Sequence, residues 1–145
     1  MRMRLILVLS TLAALSVAAC GQLTTSGWIE VGNALVMQGN YTEAVFAYDE
    51  AIKLDPELAG AWMNKAVALD ELGRYDEAIL AYDEAIRLDP ELAMAWYNKG
   101  ASLARQGKYE EAVLTYDEAI RLDSELAMAW HNKSSMCLAP PNQHQ

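Results

Sequence analysis

Residues 62–95 read WMNKAVALDELGRYDEAILAYDEAIRLDPELAMA, and residues 96–129 read WYNKGASLARQGKYEEAVLTYDEAIRLDSELAMA. The two stretches agree at 22 of 34 positions and both open on tryptophan. Trp28, Trp62, Trp96 and Trp130 stand 34 residues apart, an interval that marks a repeat protein rather than one irregular domain. Working outward in the same register, a unit from Trp28 to Ala61 precedes this pair, and a fragment opening at Trp130 follows it.

Each unit holds two apolar patterns at helical spacing and no strand-like alternation. In the second unit Trp62, Leu69 and Leu72 recur at helical intervals, Gly73 stops the run, and Tyr75-Asp76-Glu77-Ala78 opens the next. Gly39 and Gly107 occupy the same place, where a left-handed residue ends a helix and a side chain costs about 1 kcal/mol. The second pattern carries Ala78, Ile79, Tyr82, Ala85, Ile86 and Leu88 and closes with Arg87 near its negative pole, as Lys53 and Arg121 do in the other units. Asp55-Pro56-Glu57 and Asp89-Pro90-Glu91 then read as an aspartate N-cap, a proline in the first turn and an acid at the positive end of the next helix.

These landmarks closely resemble the tetratricopeptide repeat family over Thr25 to about Leu138. The resemblance rests on the four tryptophans, on small residues at Gly32, Ala66 and Gly100, and on turn tyrosines at Tyr41, Tyr75 and Tyr109. It rests further on Ala44, Ala78 and Ala112, on Ala51, Ala85 and Ala119, on Tyr48, Tyr82 and Tyr116 between them, and on closing prolines Pro56 and Pro90. Ser124 departs from the pattern, which predicts a less stiff third junction. The fold implied is all-α: an α-solenoid of antiparallel helix pairs, with units at 25–58, 59–92 and 93–126 and a partial unit at 127–138 serving as a capping helix. Small residues set the distance between the helices of a pair, with tryptophan and tyrosine rings filling the wedge. Truncating such a buried ring to alanine costs roughly 3–5 kcal/mol. No unit buries its apolar face alone, so stability comes from stacking.

The N-terminus is different material. Arg2 and Arg4 precede an almost wholly apolar run from Leu5 to Leu15, and Val17-Ala18-Ala19 lead into Cys20-Gly21. Residues 1–19 therefore read as a signal peptide. A hydrophobic residue, two small residues and a cysteine resemble the lipobox of bacterial lipoproteins, which implies lipidation at Cys20 and a tether at residues 20–24. An ordinary cleaved secretory signal and an uncleaved anchor are the alternatives; the run is shorter than the roughly 20 residues a span prefers. The precursor carries −9, and loss of Arg2 and Arg4 leaves −11. Such a body disfavours nucleic acid and anionic headgroups. Cys137, the other cysteine, reads as a small apolar residue of the last helix. Pro140-Pro141 end that helix, and residues 139–145 read as a disordered tail.

The resemblance implies that the first helix of each unit lines a concave groove. This assigns partner binding to Asn33, Met63, Asn64, Val67, Met94, Tyr97, Asn98, Ala101, Arg105 and Asn132, with Ile29, Glu30, His131 and Ser135 in the same rows and Met128 at the edge. Methionines supply adaptable contact, and an asparagine both donates and accepts. The family's carboxylate clamp would use Asn33 and Asn64, but its basic positions hold Ile29, Met94 and Asn98, which argues against capture of a C-terminal carboxylate. Lys65, Lys99 and Lys133 read as stems along the helix interface with ammonium groups in water. The acidic pairs Asp49-Glu50, Asp83-Glu84 and Asp117-Glu118 read as a solvated face, partly balanced by Lys53 and Arg87 three residues on. His131 and His144 lack metal-ligand companions, and no phosphate loop or nucleophile elbow is present. The expectation is a non-enzyme with no cofactor and no metal, whose partner is a protein or peptide and whose membrane contact is a lipid anchor. The alternative is a homo-oligomeric scaffold that stacks through its exposed ends.

Overall fold

The computed structural model describes residues 23–138. The expected signal peptide 1–19, Cys20 and the expected tail 139–145 lie outside the described residues, as do the side chains of Cys137 and Leu138. Among the described residues every regular element is a helix: α1 Thr25–Met37, α2 Tyr41–Leu54, α3 Ala59–Glu71, α4 Tyr75–Leu88, α5 Ala93–Arg105, α6 Tyr109–Leu122 and α7 Ala127–Leu138. The architecture is the expected all-α solenoid: α1 packs on α2, α3 on α4 and α5 on α6, each pair stacks on the next, and α7 closes the array.

The turn inside each pair is set by its glycine. Gly39, Gly73 and Gly107 have φ of 76°, 72° and 77°. At the first turn Gly39 N–H donates to Val36 C=O (3.0 Å) and Asn40 N–H reaches back to Leu35 C=O (2.9 Å), so two terminal carbonyls of α1 are satisfied while the chain reverses. The other two turns repeat this pattern at Asp70 and Leu69 and at Ala104 and Leu103.

The turn between pairs differs from the sequence reading. Asp55 and Asp89 end the preceding helices as C-caps, and Leu58 and Leu92 occupy the N-cap positions of α3 and α5. The aspartate carboxylates do accept a backbone N–H, but from Glu57 (3.2 Å) and Glu91 (3.1 Å) within the turn, and Asp123 accepts from Glu125 (3.0 Å) in the same way. The helix starts late because the leucine must be buried first: Leu58, Leu92 and Leu126 all pack against core side chains. Ser124 takes the place of the prolines in a turn of the same form.

Trp62, Trp96 and Trp130 fasten this turn to the helix that follows. The indole N–H of Trp62 donates to the Pro56 carbonyl (3.0 Å), that of Trp96 to the Pro90 carbonyl (3.0 Å) and that of Trp130 to the Ser124 carbonyl (3.1 Å). The lysine three residues on lies over the indole face, 5.3 Å from the ring centre at Lys65 and 5.8 Å at Lys99. Its ammonium group reaches across to the preceding pair: Lys65 to Asp49 and Lys99 to Asp83, both at 2.7 Å, and Lys133 to Asp117. These lysines therefore do not simply project into water, and the first acid of each outer pair is bridged between units. The second acid is balanced within its helix as expected, Glu50 by Lys53, Glu84 by Arg87 and Glu118 by Arg121.

Alanine and tyrosine build the core. Ala44, Ala78 and Ala112 are fully buried, and Tyr48, Tyr82 and Tyr116 are at most 2% exposed. The tyrosine ring is what presses on the small residue of the first helix. A Cβ at Gly32 would lie 2.5 Å from the Tyr48 ring, and one at Gly100 would lie 2.8 Å from the Tyr116 ring. Ala66 holds this place in the second unit, and there the tyrosine takes another direction: Tyr82 OH donates to Asp70 Oδ2 at 3.0 Å, whereas Tyr48 OH donates to Asn33 Oδ1 at 2.7 Å.

Curvature follows from unequal spacing of the two layers. First helices of successive units touch, α1 with α3 and α3 with α5, while no comparable contact joins α2 to α4 or α4 to α6. The first-helix layer is therefore the shorter, concave side. Gly32→Ala should lower stability by about 1–3 kcal/mol, read from the urea midpoint, because a packed ring must shift. Gly60→Ala, at a helical site with nothing within 4 Å of the added carbon, should be neutral or stabilising by about 0.5–1 kcal/mol; an equal loss in both variants would contradict the ring contact.

Candidate partner-binding groove

Helical periodicity carries one row of side chains from each first helix onto the concave side. The expected residues distribute over α1 (Asn33), α3 (Met63, Asn64, Val67), α5 (Met94, Tyr97, Asn98, Ala101, Arg105) and α7 (Asn132). Asn33, Met94 and Arg105 are exposed; Met63, Asn64, Val67, Tyr97, Asn98, Ala101 and Asn132 are half-buried.

Some of these residues are brought together. Asn33 Oδ1 accepts from Tyr48 OH (2.7 Å) and from Asn64 Nδ2 (3.4 Å), which links α1, α2 and α3. With that oxygen occupied twice, the Asn33 amide group remains a donor and the Asn64 carbonyl remains an acceptor, the complement of a peptide backbone. At the other end Asn132 Nδ2 donates to Tyr97 OH (3.3 Å) and Tyr116 OH (3.4 Å), and the Tyr97 and Tyr116 rings lie 5.8 Å apart. Burial raises the pKa of both Tyr48 and Tyr116, so these hydroxyls stay protonated donors. Asn98, on α5, holds the same repeat position as Asn64 and Asn132; its backbone carbonyl accepts from Ser102 Oγ (3.1 Å), and its side chain has no hydrogen bond among the described residues.

Arg105 is already engaged. Its guanidinium carbon lies 5.9 Å from the Tyr75 ring centre, and its Nη1 lies 3.7 Å from Asp70. Asp70, with a side chain 8% exposed, accepts from Tyr82 OH (3.0 Å) and from Ser102 Oγ, which lies 2.7 and 2.8 Å from its two oxygens. Burial raises the Asp70 pKa; hydrogen bonds from Ser102 and Tyr82 and the charge of Arg105 oppose that rise. This network joins α3, α4 and α5 beneath the groove. Neither Asp70 nor Ser102 is among the groove residues expected from the sequence. The signal was available in the register: the Asp70 position holds Val36 and Ala104 in the neighbouring units, and the Ser102 position holds Ala34 and Ala68. The polar pair therefore falls in adjacent units at positions that are otherwise apolar.

Ile29, Met94 and Asn98, at the positions that the resemblance gives to the basic residues of a carboxylate clamp, carry no charge. The asparagines Asn33 and Asn64 can meet backbone amides, and these three positions offer no positive charge to a terminal carboxylate. Among the described residues there is no group of three or more His, Cys, Asp or Glu side chains placed to hold a metal, and no helix long and apolar enough to cross a membrane.

A comparison with curated protein sequences gave no match. Solved structures do match. The first TPR of Spaghetti (RPAP3) bound to the HSP90 peptide SRMEEVD superposes with a TM-score of 0.77 at 24% identity, covering 79% of this chain and 90% of that one. The TPR2B domain of yeast Sti1, in a complex with pHsp70, gives 0.75 at 27% identity, covering 78% and 95%. YrrB, described as a TPR protein with an unusual peptide-binding site, gives 0.76 at 25% identity, covering 81% of this chain and 60% of that one. Models of the tetratricopeptide repeat match residues 31–93 and 93–126. Together with the stacked helix pairs and their glycine turns, these matches show that the chain belongs to the tetratricopeptide repeat family.

Proposed function

We propose that the protein is a membrane-tethered interaction scaffold whose concave groove holds a peptide or a partner helix and so helps assemble or position a complex of the cell envelope. The observation that carries the groove reading is the Asn33–Asn64 arrangement, a free donor beside a free acceptor on adjacent units, with the unbonded Asn98 side chain next along and Met63, Val67 and Met94 as apolar floor and rim. Several structural neighbours are complexes with Hsp90 or Hsp70 peptides, which supports peptide binding in a groove of this shape. Lacking the basic residues of a carboxylate clamp, this groove suits an internal segment better than a free C-terminus. The reading assigns the protein no reaction.

The tether in this reading is Cys20, lipidated after removal of residues 1–19, on the periplasmic face of a bacterial membrane or at the outer cell surface. Two or more acyl chains are enough for stable anchoring. A second reading, stacking of copies end to end, has in its favour the exposed side chains of Met128 (51%) and Trp130 (48%) on α7. Sedimentation as a monomer at every accessible concentration would remove it.

A photo-crosslinker in place of Met63 is expected to capture a discrete partner in intact cells. Asn64→Ala with Asn98→Ala should reduce that capture about 10-fold, each lost hydrogen bond being worth about 0.5–1.5 kcal/mol, with only a small drop in melting temperature from the lost Asn64–Asn33 bond. Undiminished capture would refute the groove assignment. Independently, Cys20→Ser should move the protein from the membrane to the soluble fraction and abolish incorporation of labelled palmitate; retention of both would refute the anchor.

A further inference from the structure

The outer helices carry a row of large apolar side chains that stay mostly exposed, although the Phe46 ring meets Trp28 edge-on at 6.1 Å between ring centres. Phe46 on α2, Leu80 on α4 and Leu114 on α6 stand 34 residues apart at one repeat position and are 58%, 66% and 68% exposed. Their neighbours along each helix, Ala47, Ala81 and Thr115, are buried, so the exposure is not fraying. A single exposed leucine needs no explanation, but three large apolar side chains at one repeat position form a row on the convex face. Beside Leu114 the row opens into a recess of about 370 Å³ lined by Tyr109, Glu110, Val113, Leu114 and Met136.

Acids flank the row on both sides. Helical spacing puts Glu43, Glu77 and Glu111 one turn before these residues, and Asp49-Glu50, Asp83-Glu84 and Asp117-Glu118 one turn after. The outer helices α2, α4 and α6 hold eleven acidic and three basic side chains, a net −8, whereas the groove-lining helices α1, α3, α5 and α7 hold three acidic and four basic, a net +1. Lys65, Lys99, Lys133 and Arg74 reach four of these acids from outside the outer helices, which leaves the convex face with eleven acids against seven cations, a net −4, and an apolar row runs through the middle of it.

We propose that this face is a second docking surface and that its occupant is a basic amphipathic helix. Its apolar stripe would lie along Phe46, Leu80 and Leu114, with lysines or arginines over the acids on either side. The other occupants of an apolar row fit less well: a second copy would oppose two acidic faces, and an anionic lipid surface would be repelled by the same charge. The row offers one anchor per unit, and an interval of seven residues, about 10 Å of α-helix at about 1.5 Å each, keeps successive anchors on one stripe, so the partner should repeat its apolar anchors about every seven residues over three anchors.

The full chain in phosphatidylcholine nanodiscs, with empty nanodiscs as the blank, tests this by fluorescence anisotropy. The probe is a labelled leucine–lysine peptide with that spacing, against a scrambled peptide of equal composition. The patterned peptide is expected to bind at least 10-fold more tightly, to weaken as salt rises, and to lose at least 10-fold on Phe46→Ser/Leu80→Ser/Leu114→Ser. Those substitutions replace exposed side chains, and an unchanged melting temperature confirms the fold. Asn64→Ala/Asn98→Ala should leave the affinity unchanged, so failure here is separable from failure of the groove reading. Equal binding of the scrambled peptide, full affinity in the triple variant, or loss of affinity in the groove variant overturns the proposal. A triple variant that alters sedimentation of the chain alone also overturns it, in favour of a second copy, as would row-dependent binding of phosphatidylglycerol vesicles, in favour of a lipid surface.

Discussion

A tyrosine ring lying on a side-chain-free Cα decides how closely the two helices of a unit approach, and most of the structure depends on that distance. Tyr48 sits on Gly32 and Tyr116 on Gly100 with no room for one more carbon. The close approach buries Ala44 and Ala112 completely and makes each pair a flat slab that stacks on the next. In the second unit the same problem has another solution. Ala66 occupies the approach, and Tyr82 finds its acceptor in Asp70, which in turn needs Ser102 from the following unit. Val67 stands where the first unit has Asn33, so the second tyrosine hydroxyl is satisfied through a buried polar network spanning three helices instead.

Stacking leaves two unlike surfaces. First helices meet their counterparts and form a concave layer of near-neutral charge with spare amide donors and acceptors. Second helices stand apart, carry a net −8 and display a row of large apolar side chains. The inter-unit bridges keep the two layers in register: Lys65 and Lys99 pack on the tryptophans of their own helices and pair with aspartates of the helix before. Each bridge is partly exposed and contributes little alone. Repetition along the array, together with the indole bonds to the turn carbonyls, gives the junctions a common geometry even where Ser124 replaces proline.

The helix pairs were legible because their signals are local. Gly39, Gly73 and Gly107 mark left-handed stops that few other residues tolerate, and the 34-residue interval places every tryptophan without reference to contacts. The start of each first helix was misjudged for a physical reason: Asp55 and Asp89 look like caps by residue type, but burying Leu58 and Leu92 keeps the chain in a turn for three more residues. The groove positions also followed from helical spacing once the pairs were assigned. Their hydrogen bonds did not, because Asn33 meets Asn64 and Asn132 meets Tyr97 across gaps of 31 and 35 residues that only stacking closes.

By itself, the sequence determined the element type, the period, the turn chemistry and the position of each side chain on its helix, all of which are properties of short segments. Tertiary structure decided which polar groups were used up and which were left over. Lys65 and Asp49 looked like surface charges until adjacent units paired them, and Ser102 looked incidental until it met Asp70. Those outcomes depend on distances between residues far apart in the chain, and such distances exist only after the small-residue contacts have set the spacing of the helices.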